Sequence, residues 1–384
     1  MHPKHSASAP WEKAASHPAE SKYLLTRLPN TFAKAFIPPL IKAIIPNLNN
    51  RSKNTMPLKI AQIGSDGHQN MVLDGIAHIP GAQLIACAKG HPDDTLAKVK
   101  AHAAFTAHTR LYDDHRHMLD TEEIDLVSIC RPYSLNAEAS IAAANRGIDI
   151  VSEKPVATTL KDLDALEKAV KNSGIRLTAM FGLRLSPAFR AAHQAVQDGL
   201  IGEPILATAQ KSYRFGTRPD FFKQRETYGG TIPWVAIHAV DYTRWTTGRE
   251  YTQVAALHGN LAHPDYPGCE DHGGMLFRLS NGGTAMINLD YLRPSTAPTH
   301  GDDRLRIAGS EGVIEVIDDR THLIRSGAEP RDLPLPLEEN FLVNLHGERT
   351  GTAPHIIGPD EAIKVTRLCL QAREAADTGN VLTL

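Results

Sequence analysis

Between positions 58 and 180 short apolar runs alternate with stretches of helical composition, and this alternation constrains the fold more than any single motif. Residues 58–63, 84–88, 124–130, 149–152 and 176–180 are apolar and short enough to be strands buried on both faces. Residues 68–78, 94–104, 115–120, 136–146 and 159–173 read as helices, with 106–111 as a connection. Thr159 is placed to cap the helix it precedes, and Gly174 to end it. Strands separated by helices predict a doubly wound parallel sheet. Its carboxyl edge, where ligands bind in such sheets, would gather Gly64, Lys89, Arg131 and Lys154 from separate loops.

Beyond position 181 the pattern changes. A helix is expected over 187–198, then strand-like runs at 205–213, 274–279, 284–291, 304–308 and 313–317. Ser280-Asn281-Gly282-Gly283 and Gly309-Ser310-Glu311-Gly312 read as hairpin turns between pairs of them. The expected fold class is therefore α/β followed by α+β, the second domain built on a large, mostly antiparallel sheet. The domains expected are an extension at 1–55, a doubly wound α/β domain at 56–180 and an α+β domain at 181–358. A helix at 359–378 is expected to pack back on the first domain. The first 55 residues are rich in Ser, Ala, Pro and His, with more bases than acids. They read as a poorly ordered extension with a short amphipathic helix. A start at Met56 and an organelle-targeting segment are the alternatives.

With 42% hydrophobic residues, the chain has apolar mass for real cores. A formal net charge of -2 argues against a nucleic-acid partner, and no apolar run is long enough to span a membrane. Cys87, Cys130, Cys269 and Cys369 are scattered, which suits free thiols in a reducing cytoplasm. The 19 histidines prompt a search for metal ligands. Neither His115-Arg116-His117 nor Cys269-Glu270-Asp271-His272 has the spacing of a structural zinc site, and no metal is expected.

The chemistry concentrates in three stretches. The strand from 149 ends in Glu153-Lys154-Pro155. Pro155 fixes its own φ and biases Lys154 toward an extended conformation, so the cation is held on backbone at the sheet edge. Gly64-Ser65-Asp66-Gly67, followed by His68, is a tight turn into a helix whose N–H groups can hold a diphosphate. Asp66 and Gln69 stand where the G-x-G-x-x-G pattern has glycine. Where an acid about 20 residues further on holds the ribose hydroxyls, Lys89 stands instead. A cation there favours a 2′-phosphate and leans toward NADP over NAD. In 231–245, a helix would align His238, Asp241 and Trp245 on one face, behind Gly229-Gly230. A histidine can accept the proton of a secondary alcohol, and a lysine can stabilise the alkoxide that develops.

Glu153-Lys154-Pro155, the 64–67 turn, Gly229-Gly230 and His238-x-x-Asp241 occur in the order and spacing of one family. From about residue 57 onward the chain resembles the Gfo/Idh/MocA oxidoreductases. Arg184-Leu185-Ser186-Pro187 and the run from Gly301 to Gly309 resemble further family signatures. The resemblance implies a Rossmann domain and an antiparallel-sheet domain whose outer face forms a homo-oligomer, a dimer or tetramer. It implies NAD or NADP as cofactor and hydride transfer to or from a sugar, cyclitol or related polyol. Lys154 is then expected between nicotinamide and substrate, His238 as acid/base, and Asp241 as relay or as the group that holds His238. Gly64, Gly67, His68, Lys89, Arg131, Pro132, Glu153, Pro155 and Arg184 are expected on the cofactor side. Tyr213 and Trp234 are expected on the substrate side.

The chain departs from the pattern at several positions. Trp234 stands where many members carry an acid four residues before the histidine, and its ring suits stacking on a sugar. Arg131-Pro132-Tyr133 replaces a Thr-Pro-Asn run, and Asn136 replaces a histidine. These departures mark a divergent subgroup. They keep two further readings open: a non-catalytic dinucleotide or sugar sensor, and redox-neutral, NAD-dependent glycoside cleavage.

Overall fold

The computed structural model describes residues 57–354, 356–358 and 360–384; the extension expected at 1–55 and the start at Met56 lie outside the described residues. Six strands form the first sheet: β1 (Lys59–Ile63), β2 (Gln83–Ala88), β3 (Arg110–Tyr112), β4 (Leu126–Ile129), β5 (Asp149–Ser152) and β6 (Leu177–Ala179). They are all parallel, in the order β3-β2-β1-β4-β5-β6. Between them run α1 (Asn70–Ile76), α2 (Ala97–Lys100), α3 (His115–Thr121), α4 (Asn136–Ala144) and α5 (Leu160–Ser173). Ile60, Ile63, Val127, Ile129 and Val151 are buried, as strands covered on both faces require. The strand order reverses between β1 and β4, which opens a crevice at their carboxyl ends.

The expected capping is present on α5. The Thr159 side chain accepts the Asp162 N–H, and Gly174 ends the helix at φ 70°. The helix expected over 94–104 shrinks to the single turn of α2. The Asp94 carboxylate takes the N–H groups of Gly90 and Leu96 at 3.0 and 2.8 Å, and so competes with helical bonding. Leu96 itself is left-handed, at φ 56°. The connection expected at 106–111 runs into β3, the edge strand.

The second sheet has nine strands: β7 (Pro204–Tyr213), β8 (Tyr251–Gly259), β9 (His272–Leu279), β10 (Thr284–Asp290), β11 (Gly301–Gly309), β12 (Gly312–Ile317), β13 (Arg320–Arg325), β14 (Arg331–Asp332) and β15 (Leu382–Thr383). Their order is β14-β13-β12-β11-β7-β10-β9-β8-β15, antiparallel except for β7 beside β10. Gly282, at φ 89°, makes the β9–β10 turn, and Asn281 accepts the Gly283 N–H at 3.1 Å. The helices here are α6 (Pro187–Gln197), α7 (Arg225–Tyr228), α8 (Ile237–Thr247), α9 (Phe341–Thr350) and α10 (Glu361–Thr378).

A π-helical turn at Ile232–Ala236 leads directly into α8, which is buried along almost its whole length. Such wide turns recur where a helix must present side chains to a site. Helix α10 rests on the first sheet's layer through Arg367, which meets Asp164 and Glu167 of α5 at 2.8 Å each. It also packs along β8, so it joins the two sheets.

Candidate active site

Strand β5 delivers Glu153, Lys154 and Pro155 to the crevice, and Glu153 and Lys154 are fully buried. The Lys154–Pro155 peptide bond is cis. Asn136, the first residue of α4, donates to the carbonyls of Glu153 and Pro155 at 3.3 Å each and pins the loop. Glu153 was expected on the cofactor surface, and the structure puts it beneath the glycine turn instead. Its Oε2 accepts the His68 N–H at 2.6 Å and meets His68 Nδ1 at 2.8 Å. A Cβ on Gly67 would collide with this carboxylate. Burial favours a neutral Glu153, but His68 and Lys154 outweigh it and hold its pKa below the usual carboxylate value.

The glycine turn is built from backbone contacts. Gly64 sits at φ 77°, and a Cβ there would strike the Cys130 carbonyl oxygen; a Cβ on Gly90 would lie 2.8 Å from Gly64 Cα. The ends of β1, β2 and β4 therefore meet without side chains between them, a cradle that fits a diphosphate. Asp66 would repel that group if its carboxylate faced the turn's mouth. It pairs with His91 at 3.2 Å, beside Asp94. Among the described residues these three form the one cluster of metal-ligand type, although Asp94 is already engaged by Ser65, Gly90 and Leu96. Lys89, at the end of β2, pairs with Asp113 at 2.7 Å.

The two arginines expected beside the cofactor both make several contacts within the protein. Arg131 donates to the carbonyls of Gly90 (2.7 Å) and Leu135 (3.1 Å) and to Glu138 (2.7 Å), and so ties the loops after β2 and β4 together. Pro132 separates it from Tyr133. Arg184 grips Asp241 through three hydrogen bonds of 2.6–3.1 Å and also meets Glu361 and the Ile356 carbonyl. Burial works against its charge, but Asp241 and Glu361 raise its pKa further. Both Asp241 oxygens face Arg184, so the structure gives Asp241 to this buried network rather than to His238.

Lys154 is the centre of the site. Its Nζ donates to the Trp234 carbonyl at 3.0 Å and lies 3.2 Å from the centroid of the Trp234 ring. Burial is the largest influence on it. With Lys211 and Arg218 adding to that effect and Glu153 and Asp303 opposing it, its pKa falls to about 7. Trp234 is correspondingly not a free wall for a sugar ring. It is 5% exposed and stacks on Tyr133, with centroids 4.1 Å apart. His238, one residue into α8, is buried among cations. Burial first, then Lys154, Lys211 and His68, push its pKa well below the usual histidine value. Among the described residues no hydrogen bond reaches its imidazole, so a neutral ring is left to accept a proton.

Tyr213, at the end of β7, lies 4.9 Å from the His300 ring and 4.5 Å from Lys211 Nζ. Lys211 is neutralised by Asp303 at 2.6 Å. Four participants escaped the sequence reading of the site: Tyr133 beneath Trp234, Asn136 behind the Glu-Lys-Pro loop, and Lys211 and Arg218 as charges acting on Lys154. Tyr133 and Asn136 lay in a stretch already marked as a carboxyl-edge loop and departing from the family pattern. Arg218 lies in an irregular segment with no periodic signal.

Comparison with known proteins bears on the fold and the family. Residues 58–181 match a family model described as an oxidoreductase family with an NAD-binding Rossmann fold. Residues 189–315 match the Gfo/Idh/MocA C-terminal domain. A Thermotoga maritima structure described as an oxidoreductase is 38% identical, with a TM-score of 0.82, covering 85% of this chain and all of that one. The scyllo-inositol 2-dehydrogenase (NAD(+)) of Bacillus subtilis is 27% identical over 62% of this chain and 67% of its own length. The inositol 2-dehydrogenase of Rhizobium meliloti is 28% identical over 57% and 65%. Family model and relatives together define an NAD-dependent dehydrogenase acting on alcohol groups. The chain belongs to the Gfo/Idh/MocA family of oxidoreductases. Among the described residues no helix is long and apolar enough to cross a membrane.

Proposed function

We propose that the protein interconverts a secondary alcohol of a sugar, cyclitol or related polyol with the corresponding ketone, using a nicotinamide dinucleotide. The observation that carries this reading is Lys154, a fully buried amine with a pKa near 7 beside a neutral His238. The inositol dehydrogenases among the relatives support the substrate class. The glycine turn at Gly64 and Gly67 would hold the diphosphate, with Lys89 toward the adenosine ribose. The dinucleotide, when bound, supplies the hydride acceptor or donor. His238 accepts the hydroxyl proton at neutral pH because its surroundings keep the ring uncharged. Lys154 orients the hydroxyl and stabilises negative charge developing on its oxygen. Trp234 shields the amine from water, and substrate must displace its ring to reach Nζ.

Lys89 favours a 2′-phosphate, while Asp113 offsets part of its charge, so we read the coenzyme preference as a modest one for NADPH. We also read the chain as a homo-oligomer formed through the open face of the second sheet. A second reading, a sensor that binds but does not turn over, is favoured by one observation: the Trp234 ring covers Lys154.

The test is titration of the folded protein, freed of retained cofactor, with NADH and NADPH, followed by nicotinamide emission and then a polyol and sugar screen. Saturable binding and turnover are expected. Binding without turnover of any sugar moves the protein to the sensor reading. Absence of binding overturns the dinucleotide site.

A further inference from the structure

The charges acting on Lys154 do not balance. Glu153 is taken up by His68 and the glycine turn, and Asp303 by Lys211. Arg218 remains. Its guanidinium lies against aromatic rings, 4.7 Å from the centroid of Tyr291 and 5.5 Å from that of Phe222. Its Nη2 donates to the Arg214 carbonyl at 3.1 Å. Its Nε is buried without a hydrogen-bond partner, and so is the Nε of neighbouring Arg214. Among the described residues neither guanidinium meets a carboxylate. Both side chains are only partly buried, so water reaches part of each guanidinium, but the buried Nε groups lack the partner that an anion would supply.

The same end of the cleft is electropositive beyond these two residues. His300, whose backbone carbonyl accepts the Arg214 N–H at 3.0 Å, has its pKa lowered by burial and then by Arg218, Arg214 and Lys211. Arg218 also acts on Lys154 itself and on the buried hydroxyls of Tyr133 and Tyr291. Phe222, on which the Arg218 guanidinium lies, packs against Tyr133 at 5.7 Å and Trp234 at 6.3 Å, and the Trp234 ring covers Lys154 Nζ, so the unpaired cation sits one aromatic layer from the reacting amine. A guanidinium presents a planar fork that matches a carboxylate.

We propose that the substrate is a carboxylated sugar or polyol, an acid of uronate or aldonate type, and that Arg218 holds its carboxylate. This rests on the dehydrogenase reading and names the substrate class for the same site. Neutral sugars would leave Arg218 without a partner and react poorly, as sites built for a polar group reject analogues that lack it. A sugar phosphate is the competing anion, since Arg214 lies beside Arg218, and glucose 6-phosphate is therefore among the compounds tested.

The test compares glucuronate, galacturonate and gluconate with glucose, galactose, myo-inositol and glucose 6-phosphate. Two readouts are used: quenching of protein and NADH emission in the NADH-loaded protein, and kcat/KM in both directions. At least one carboxylate is expected to bind more tightly, and to react faster, than every neutral compound. Arg218→Met should lower the acid-to-neutral selectivity ratio by about 100-fold, and Arg218→Lys should restore part of it. Preference for a neutral sugar or for the phosphate, or an equal loss on both classes in Arg218→Met, would overturn the proposal while leaving the dehydrogenase reading intact. Failure of all three acids to bind would overturn it as well. Carboxylate binding lost in Arg218→Met, without turnover of any compound, would keep the anion site and remove the dehydrogenase reading.

Discussion

Lys154 concentrates the residue-scale physics. A lysine of ordinary pKa 10.5 is lowered to about 7 chiefly by burial. The unfolded chain then holds more protons than the folded one between pH 7 and 10.5, so stability rises with pH across that window and the burial cost is complete below it. At about 1.4 kcal/mol per pKa unit the cost is roughly 3–5 kcal/mol. Lys154→Met should therefore melt higher than the wild type at pH 6, with the gap shrinking by pH 10. Its turnover should fall at least about 100-fold. Equal melting differences at pH 6 and pH 10 would show that the amine is not held uncharged by burial. The importance of Lys154 was legible from Glu153-Lys154-Pro155, because a strand end followed by proline gives one location on the sheet. The covering of its amine by Trp234 was not legible, because that contact joins residues 80 positions apart.

At the level of elements, α8, α10 and the turn before α6 are locked by one buried network. Arg184 binds Asp241 and Glu361, and Arg244 binds Glu361 at 2.6 Å and Glu250 at 2.8 Å. Asp241→Ala would leave Arg184 buried without its main counter-charge, a loss of about 3–5 kcal/mol in urea unfolding. The kcat of the folded fraction should drop by less than about 10-fold. A large loss of kcat at unchanged stability would return Asp241 to the reaction. The helical spacing of His238 and Asp241 was readable. Their separate fates were not, since Arg184 reaches Asp241 from another element. Likewise the helix expected at 94–104 failed on a single carboxylate, Asp94, whose choice of backbone partners depends on how the β2 loop closes.

For the whole molecule, the open face of the second sheet is the conspicuous surface. Leu257, Leu276 and Met286 are exposed there, Leu257 at 74%. A hollow of about 1010 Å³ lies among β8, β9 and β10. The homo-oligomer proposed above would cover these side chains, and β-sheet faces meet well face to face. Light scattering should give a multiple of the 41.9 kDa chain mass. The double variant Leu257→Glu, Leu276→Glu should fall to the monomer; an unchanged assembly would place the interface elsewhere.

Local chemistry by itself determined the strand and helix alternation, the glycine turn, the caps of α5, the β9–β10 hairpin and the positions of Lys154 and His238 on their elements. These follow from apolar period, backbone permissiveness and the restriction that proline imposes. Only the tertiary structure decided which side chain answers which. It sent Glu153 under the turn, made braces of Arg131 and Arg184, turned Asp66 toward His91, and left Arg218 without a carboxylate among the described residues. Electrostatic partners are set by distance in space, and sequence separation carries almost no information about that.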